Sequence, residues 1–210
     1  MAFALLSGLA LVAYVLLAWH QHRRASDERG QRERLQGGMQ VNHTAFGQTF
    51  LYTATRDQTG GQLFVAMLGL DAYSSGPVAC IHPRSTVSIT VARGCLTLWV
   101  DGKRRRLGPG EGIVIAPRTP YRYFNAGDEP MSAQVEATPA SALDMFLVQV
   151  DRSGLGHSRR GARTWLQAVS LFAAYDCTYV ASFPVWLQRG SAILLGPLIR
   201  LLRIRTYYAE

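Results

Sequence analysis

The chain opens with an uninterrupted apolar run. From Ala2 to Trp19 no residue is charged, and eighteen helical residues would extend about 27 Å, the short end of what crosses a hydrocarbon core. A secretory signal would carry basic residues ahead of such a run and small residues at a cleavage site behind it. Here the following flank is WHQHRR, so the pattern predicts an uncleaved transmembrane helix over residues 1–20. His20, His22, Arg23, Arg24, Arg29, Arg32 and Arg34 all follow it. The positive-inside bias therefore predicts a single-pass membrane protein with the remainder on the cytoplasmic side. A helix buried in an oligomer interface is the alternative reading of so short a run.

Residues 21–38 are charged, lack an apolar face and end at Gly37-Gly38, which reads as a juxtamembrane linker. Between residues 39 and 150 the period changes. FLYTATR, QLFVAMLGL, VSITVA, CLTLWV, GIVIA and MSAQVEA are separated by DQTGG, DAYSSGP, ARG, DGK, GPGEG and NAGDEP. Short strands with such punctuation predict a mainly β domain, an antiparallel sandwich or barrel. A polar connector over 151–163 leads to a helical extension over 164–210. There Trp165, Val169 and Phe172 fall on one helical stripe. Pro184 suits the first turn of the next helix, and Gly196-Pro197 is expected to break it. Beyond that break, Arg200 and Arg203 oppose leucines, as in an interfacial amphipathic helix; packing of the same apolar face onto the barrel is equally compatible.

The formal net charge is +8, carried almost wholly by arginine, with Lys103 the lone lysine. These arginines are spread along the chain. A nucleic-acid footprint needs them gathered beside aromatic platforms, so no nucleic acid is expected, and lipid is the better partner. The run Lys103 to Arg106 adjoins an Asp101-Gly102 turn and reads as a solvated hairpin tip. Cys80, Cys95 and Cys177 are odd in number without CxxC spacing, which argues against a disulfide framework or a structural zinc and fits a reducing compartment.

The block CIHPRSTVSITVARG followed by LGPGEGIVIAPRTPYRYFNAGDEP resembles the two motifs of the cupin superfamily. His82, Pro83 and Arg84 match the second histidine of the first motif and its neighbours, and Gly94 its closing glycine. Gly110, Pro117 and Asn125 match the framework of the second. The tail LQAVSLFAAYD with VWLQRGSAILLGPLIRLL also resembles the helical extension of some single-cupin proteins. The resemblance implies one cupin barrel, a double-stranded β-helix or jelly roll, flanked by the N-terminal transmembrane helix and C-terminal α-helices.

In that family three histidines and a glutamate hold a divalent metal. Aligned with them here stand Cys80, His82, Val87 and Tyr121, so one ligand is unchanged and valine replaces the carboxylate. Two ligands on one strand do not complete a four-coordinate site, and the expectation is no metal and no cofactor; His43 is the candidate for a further ligand from elsewhere. What the motif leaves is an apolar pocket, with Cys80, Val87, Ile89, Val91 and Tyr123 in its wall. Period-two alternation turns Val87, Ile89 and Val91 inward and Ser88 and Thr90 outward. His82 and Tyr121 would serve as catalytic base and acid. The expected partners are a hydrophobic small-molecule substrate and membrane lipid, with homodimerisation left open. Two functions follow: a cofactor-free isomerase, cyclase or lyase of polyketide- or terpenoid-like intermediates in natural-product biosynthesis, or a non-catalytic sensor or carrier of a lipophilic ligand.

Overall fold

Alternating burial runs through most of the strands. In a computed structural model of the chain, which describes residues 12–18, 20, 34–157 and 161–208, strand β3 (Phe64–Leu70) buries every second side chain, and so does β10 (Met131–Thr138). These two form the middle of a six-stranded antiparallel sheet ordered β1 (Gln40–His43), β2 (Gln48–Ala54), β3, β10, β5 (Thr86–Arg93), β8 (Gly112–Ile115). A second sheet of five strands is ordered β11 (Tyr179–Val180), β4 (Cys80–Ile81), β9 (Tyr121–Phe124), β6 (Leu96–Val100), β7 (Lys103–Leu107). The inward residues of both sheets meet in one core cluster that includes Phe64, Leu68, Ile89, Leu98 and Val135. This is a mainly β fold with antiparallel sheets and C-terminal helices.

Strand β5 buries Val87, Ile89 and Val91 and leaves Thr90 exposed, the period-two pattern of its sequence. Asp101 and Gly102 both have positive φ, 47° and 73°, as a two-residue hairpin turn requires. The basic run after them is a strand and not a turn tip: Lys103 to Leu107 pairs with β6 at the sheet edge, with Lys103 to Arg106 all exposed. Edge lysines and arginines of this kind block pairing with another chain.

Other expectations need correction. The transmembrane helix expected over 1–20 falls mostly outside the described residues; residues 12–18 are helical, and among the described residues no helix is long and apolar enough to cross a membrane. Most of the 21–38 linker is also outside them, but its end is packed. Leu35 is buried in the core and its carbonyl accepts a hydrogen bond from the Thr55 hydroxyl at 2.8 Å. The barrel strands end at Thr138, and helix α1 (Leu143–Arg152) fills the stretch read as the end of the barrel. Its Leu143, Phe146, Val148 and Val150 recur at helical spacing and are buried. In helix α2 (Ala162–Tyr175), Trp165 is exposed; the buried side is set by Leu166, Ser170, Leu171, Ala174 and Tyr175. Helix α3 (Val185–Leu201) runs straight through Gly196-Pro197. Proline removes one backbone donor there, while buried Ala192 and Ile199 hold the turns on either side.

The C-terminal extension is fastened to the barrel by Asp176. Its carboxylate accepts from Arg84 at 2.9 Å, from Arg189 of α3 at 2.8 Å, and from the Tyr179 hydroxyl. The Arg189 guanidinium also lies 5.5 Å from the centre of the Tyr179 ring. At the far end of the extension, buried Gln149 exchanges two hydrogen bonds with the backbone of Tyr208.

Gly76 sets how closely the loop between β3 and β4 approaches β9. At φ +60° it lies so near that an added Cβ would sit 2.0 Å from the Tyr123 carbonyl oxygen. Neither the backbone conformation nor the space tolerates a side chain. Gly76→Ala is expected to lower stability by about 2–4 kcal/mol, read as a fall in the urea midpoint. An unchanged midpoint would contradict this packing.

Candidate functional site

Strand β4 is two residues long and lies between partners from distant parts of the chain. Cys80 pairs with Tyr121 of β9 on one side, and Cys80 and Ile81 pair with Val180 and Tyr179 of β11 on the other. His82 leaves the end of this strand and is buried between the two neighbours. Its Nδ1 lies 3.0 Å from the Cys177 carbonyl and its Nε2 lies 2.9 Å from the Tyr121 hydroxyl. A carbonyl oxygen only accepts, so Nδ1 carries the proton. Nε2 is then the acceptor, and Tyr121 donates to it. The structure thus brings together the two residues read as acid and base, with the hydroxyl hydrogen already directed at the ring.

Burial dominates the electrostatics here. It pulls His82 down to about 4, although the hydrogen bond to Cys177 works the other way. It raises Tyr121 well above the ordinary tyrosine value, helped by Cys80, and pushes the Cys80 thiol up to about 11. All three groups are therefore neutral near pH 7.

A second buried chain of hydrogen bonds runs alongside. Tyr123, stacked on Tyr121 with ring centres 6.4 Å apart, donates to Gln48 Oε1 at 3.0 Å. Gln48 Nε2 donates to His43 Nδ1 at 2.8 Å, and His43 Nε2 donates to the Leu147 carbonyl at 2.9 Å. Burial lowers the His43 pKa. Every donor in the chain has an acceptor.

Both chains border a cavity of about 480 Å³, a volume suited to one small molecule. Cys80, His82, Val87, Ile89, Tyr121 and Tyr123 all line it. Val91 does not: it is buried in the core cluster beyond the cavity, nearer the Gly110–Glu111 turn to which its backbone bonds. Sequence reasoning missed the other half of the wall. Gln48, Phe50 and Phe64 contribute from β2 and β3, while Phe146 and Leu147 of α1 and Phe172 of α2 roof the cavity from outside the barrel. The spacing of Leu143, Phe146, Leu147 and Val150 was the available signal for that roof. Apart from the two hydrogen-bonded chains, most of this lining is aliphatic or aromatic.

Cys80 Sγ is 4.0 Å from His82 Nε2, but Tyr121 occupies the lone pair of that nitrogen, burial keeps the thiol protonated, and Val87 offers no donor. His43 has both ring nitrogens engaged. Among the described residues no three His, Cys, Asp or Glu side chains converge.

Residues 71–136 match the family model described as Cupin_2, cupin domain. No curated protein matches the chain. Solved cupin structures with a similar fold include a sugar phosphate isomerase from Silicibacter pomeroyi, 20% identical with a TM-score of 0.40 over 50% of this chain and 67% of that one. KdgF from a Halomonas species is 19% identical with a TM-score of 0.39 over 44% of this chain and 81% of its own. Pac13, a nucleoside dehydratase, is 16% identical with a TM-score of 0.38 over 51% of this chain and 75% of its own; a Pac13 structure from Streptomyces with uridine also matches. At such scores these likenesses say nothing about substrate or reaction in the present barrel.

The depressed pKa of His82 makes the barrel acid-sensitive. Between the ordinary histidine value of 6.5 and about 4, the unfolded chain takes up a proton at this residue that the folded chain refuses. Stability therefore falls as pH drops through that window, by on the order of 3 kcal/mol from this residue, and is fully present above it. Urea unfolding at pH 7.5, 6.0 and 4.5 should show a shallower pH slope for His82→Asn than for wild type. Parallel slopes would mean that His82 titrates normally.

Proposed function

We propose that this cupin barrel binds one lipophilic small molecule in the cavity roofed by α1 and α2, and that the His82–Tyr121 pair moves a proton on it without a cofactor. The reading rests chiefly on the pair being neutral, hydrogen-bonded and set in an otherwise largely apolar wall. With its hydrogen directed at His82, the Tyr121 oxygen can take a proton from the ligand as its own proton passes to Nε2. The ligand is then an anion and His82 an imidazolium. Burial disfavours that imidazolium unless the ligand anion stays beside it, so the proton returns quickly, at the original atom or at a neighbouring one. Return at a neighbouring atom is an isomerisation, and ring closure or elimination by the transient anion gives the cyclase and lyase variants. Polyketide- and terpenoid-like intermediates fit the volume and the apolar walls.

A carrier or sensor is the second reading. It is favoured by one specific observation: both nitrogens of His82 already have partners in the ligand-free barrel. Thermal-shift screening against lipophilic intermediates should first find ligands that raise the Tm. With such a ligand, Tyr121→Phe and His82→Gln are expected to lower turnover by roughly a hundredfold while changing the Kd far less. Val87→Phe should weaken binding by filling the cavity. Intact turnover in both polar variants would remove catalysis, and unchanged affinity in Val87→Phe would remove the cavity as the binding site.

We also propose residues 1–20 as a tether that places the barrel on the cytoplasmic side of a membrane, supported by the uncharged run and the arginines behind it. A cytoplasm-dependent reporter fused after Glu210 is expected to be active. Activity of a periplasm-dependent reporter at that position would reverse the orientation.

A further inference from the structure

Helix α3 has two apolar faces and uses one. At about 100° per residue, Ala192 and Ile199 lie on one side, both buried, and Ile199 packs in a cluster with Leu166, Leu195, Val169 and Ile204. On the opposite side Trp186, Leu187, Leu194, Leu198 and Leu201 fall within about 120° of arc, and all are exposed, Trp186 at 72% and Leu201 at 78%. Phe183, just before the helix, and Leu202, just after it, extend the same exposed character. A continuous apolar strip of this kind on a folded chain marks a contact surface.

Charge and neighbourhood identify the occupant. Between Cys177 and Ala209 the sequence contains Arg189, Arg200, Arg203 and Arg205 and no acidic residue. Arg189 meets Asp176, and Arg203 and Arg205 lie exposed just past the C-terminal end of the helix. The strip is also continuous with the apolar N-terminal run: the Tyr14 hydroxyl donates to the Leu194 carbonyl at 2.5 Å, which sets residues 12–18 beside this face. An apolar strip carrying a tryptophan, edged by arginines and free of carboxylates, has the make-up of a helix that lies in a lipid interface.

We propose that the outer face of α3 docks on an anionic phospholipid surface, with Trp186, Leu194 and Leu201 among the acyl chains and the terminal arginines at the headgroups. The face is distinct from the cavity. Docking there would bring α2, which packs on α3 and forms part of the cavity roof, toward the membrane, the phase in which a lipophilic ligand accumulates.

Simple vesicle capture would not separate this contact from the proposed N-terminal tether, so the test reads the local environment of α3. The full chain is mixed with vesicles of phosphatidylcholine and phosphatidylglycerol carrying brominated acyl chains, and tryptophan quenching is recorded. Wild type is expected to show a quenched component that Trp186→Phe lacks, since Trp19, Trp99 and Trp165 remain in both. The double variant Leu194→Glu/Leu201→Glu should fold with an unchanged Tm, because both positions are exposed, and should reduce that Trp186 component by roughly tenfold. Vesicles of phosphatidylcholine alone should quench it less. Identical quenching in wild type and Trp186→Phe would overturn the proposal, as would equal quenching on neutral vesicles. A dimer in sedimentation that the double variant dissociates, with no Trp186 quenching, would overturn it in favour of a second copy of the chain.

Discussion

The Cys177 carbonyl decides which nitrogen of His82 carries its proton, and the chemistry of the cavity follows from that choice. With Nδ1 protonated, Nε2 must accept, Tyr121 must donate, and the lone pairs of the Tyr121 oxygen are what the cavity is offered. The reverse tautomer would leave a carbonyl facing a bare nitrogen and turn the tyrosine hydroxyl away, a buried mismatch worth about 1–3 kcal/mol for each unsatisfied group. The carbonyl does not belong to the two sheets' strands from β1 to β10. It arrives on the segment after α2, held by β11 pairing with β4 and by Asp176 between Arg84 and Arg189. The C-terminal extension is thus part of the site in two senses: it roofs the cavity and it sets the histidine.

Enclosure and proton chemistry depend on the same packing. Phe146 and Phe172, with ring centres 5.5 Å apart, close the cavity from the helical side, and burial within this enclosure is what depresses His82 and raises Tyr121. A more open barrel would leave both residues near their ordinary values, competing with water for every hydrogen bond. The second chain, from Tyr123 through Gln48 to His43 and Leu147, ties β2 and β9 to α1 in the same way. One chain ends on a backbone carbonyl of the extension and the other on a carbonyl of α1, so the orientation of each histidine reports whether the helical side is in place.

Much of the barrel was legible because its signals are local. The alternation in VSITVA, the Asp101-Gly102 turn and the short spacing between Cys80 and His82 are all properties of neighbouring residues. The stretch LDMFLVQV was harder: apolar at helical spacing, yet rich enough in β-formers to continue a run of strands, and only its packing on β1 and α2 decides for helix. Two-residue strands such as β4 and β11 carry no period at all. The Cys177 carbonyl was out of reach in principle, since a backbone acceptor 95 residues away from His82 has no side-chain signature. Val91 shows the complementary limit. Alternation says which face of the sheet a residue is on, but not how far along the barrel the cavity extends.

Valine at position 87 and neutral histidine at position 82 belong together. A carboxylate among these apolar walls would draw water or a cation into the cavity, and its charge would favour the imidazolium and raise His82 toward its ordinary value. Valine contributes only volume and dryness. It keeps His82 uncharged and leaves Tyr121 as the hydrogen-bond partner of Nε2. It also leaves room that a lipophilic molecule can fill. Val87, Tyr121 and His82 therefore act together on the electrostatics of this wall: no charge or donor at position 87, a hydroxyl that donates to Nε2, and a histidine held neutral by burial.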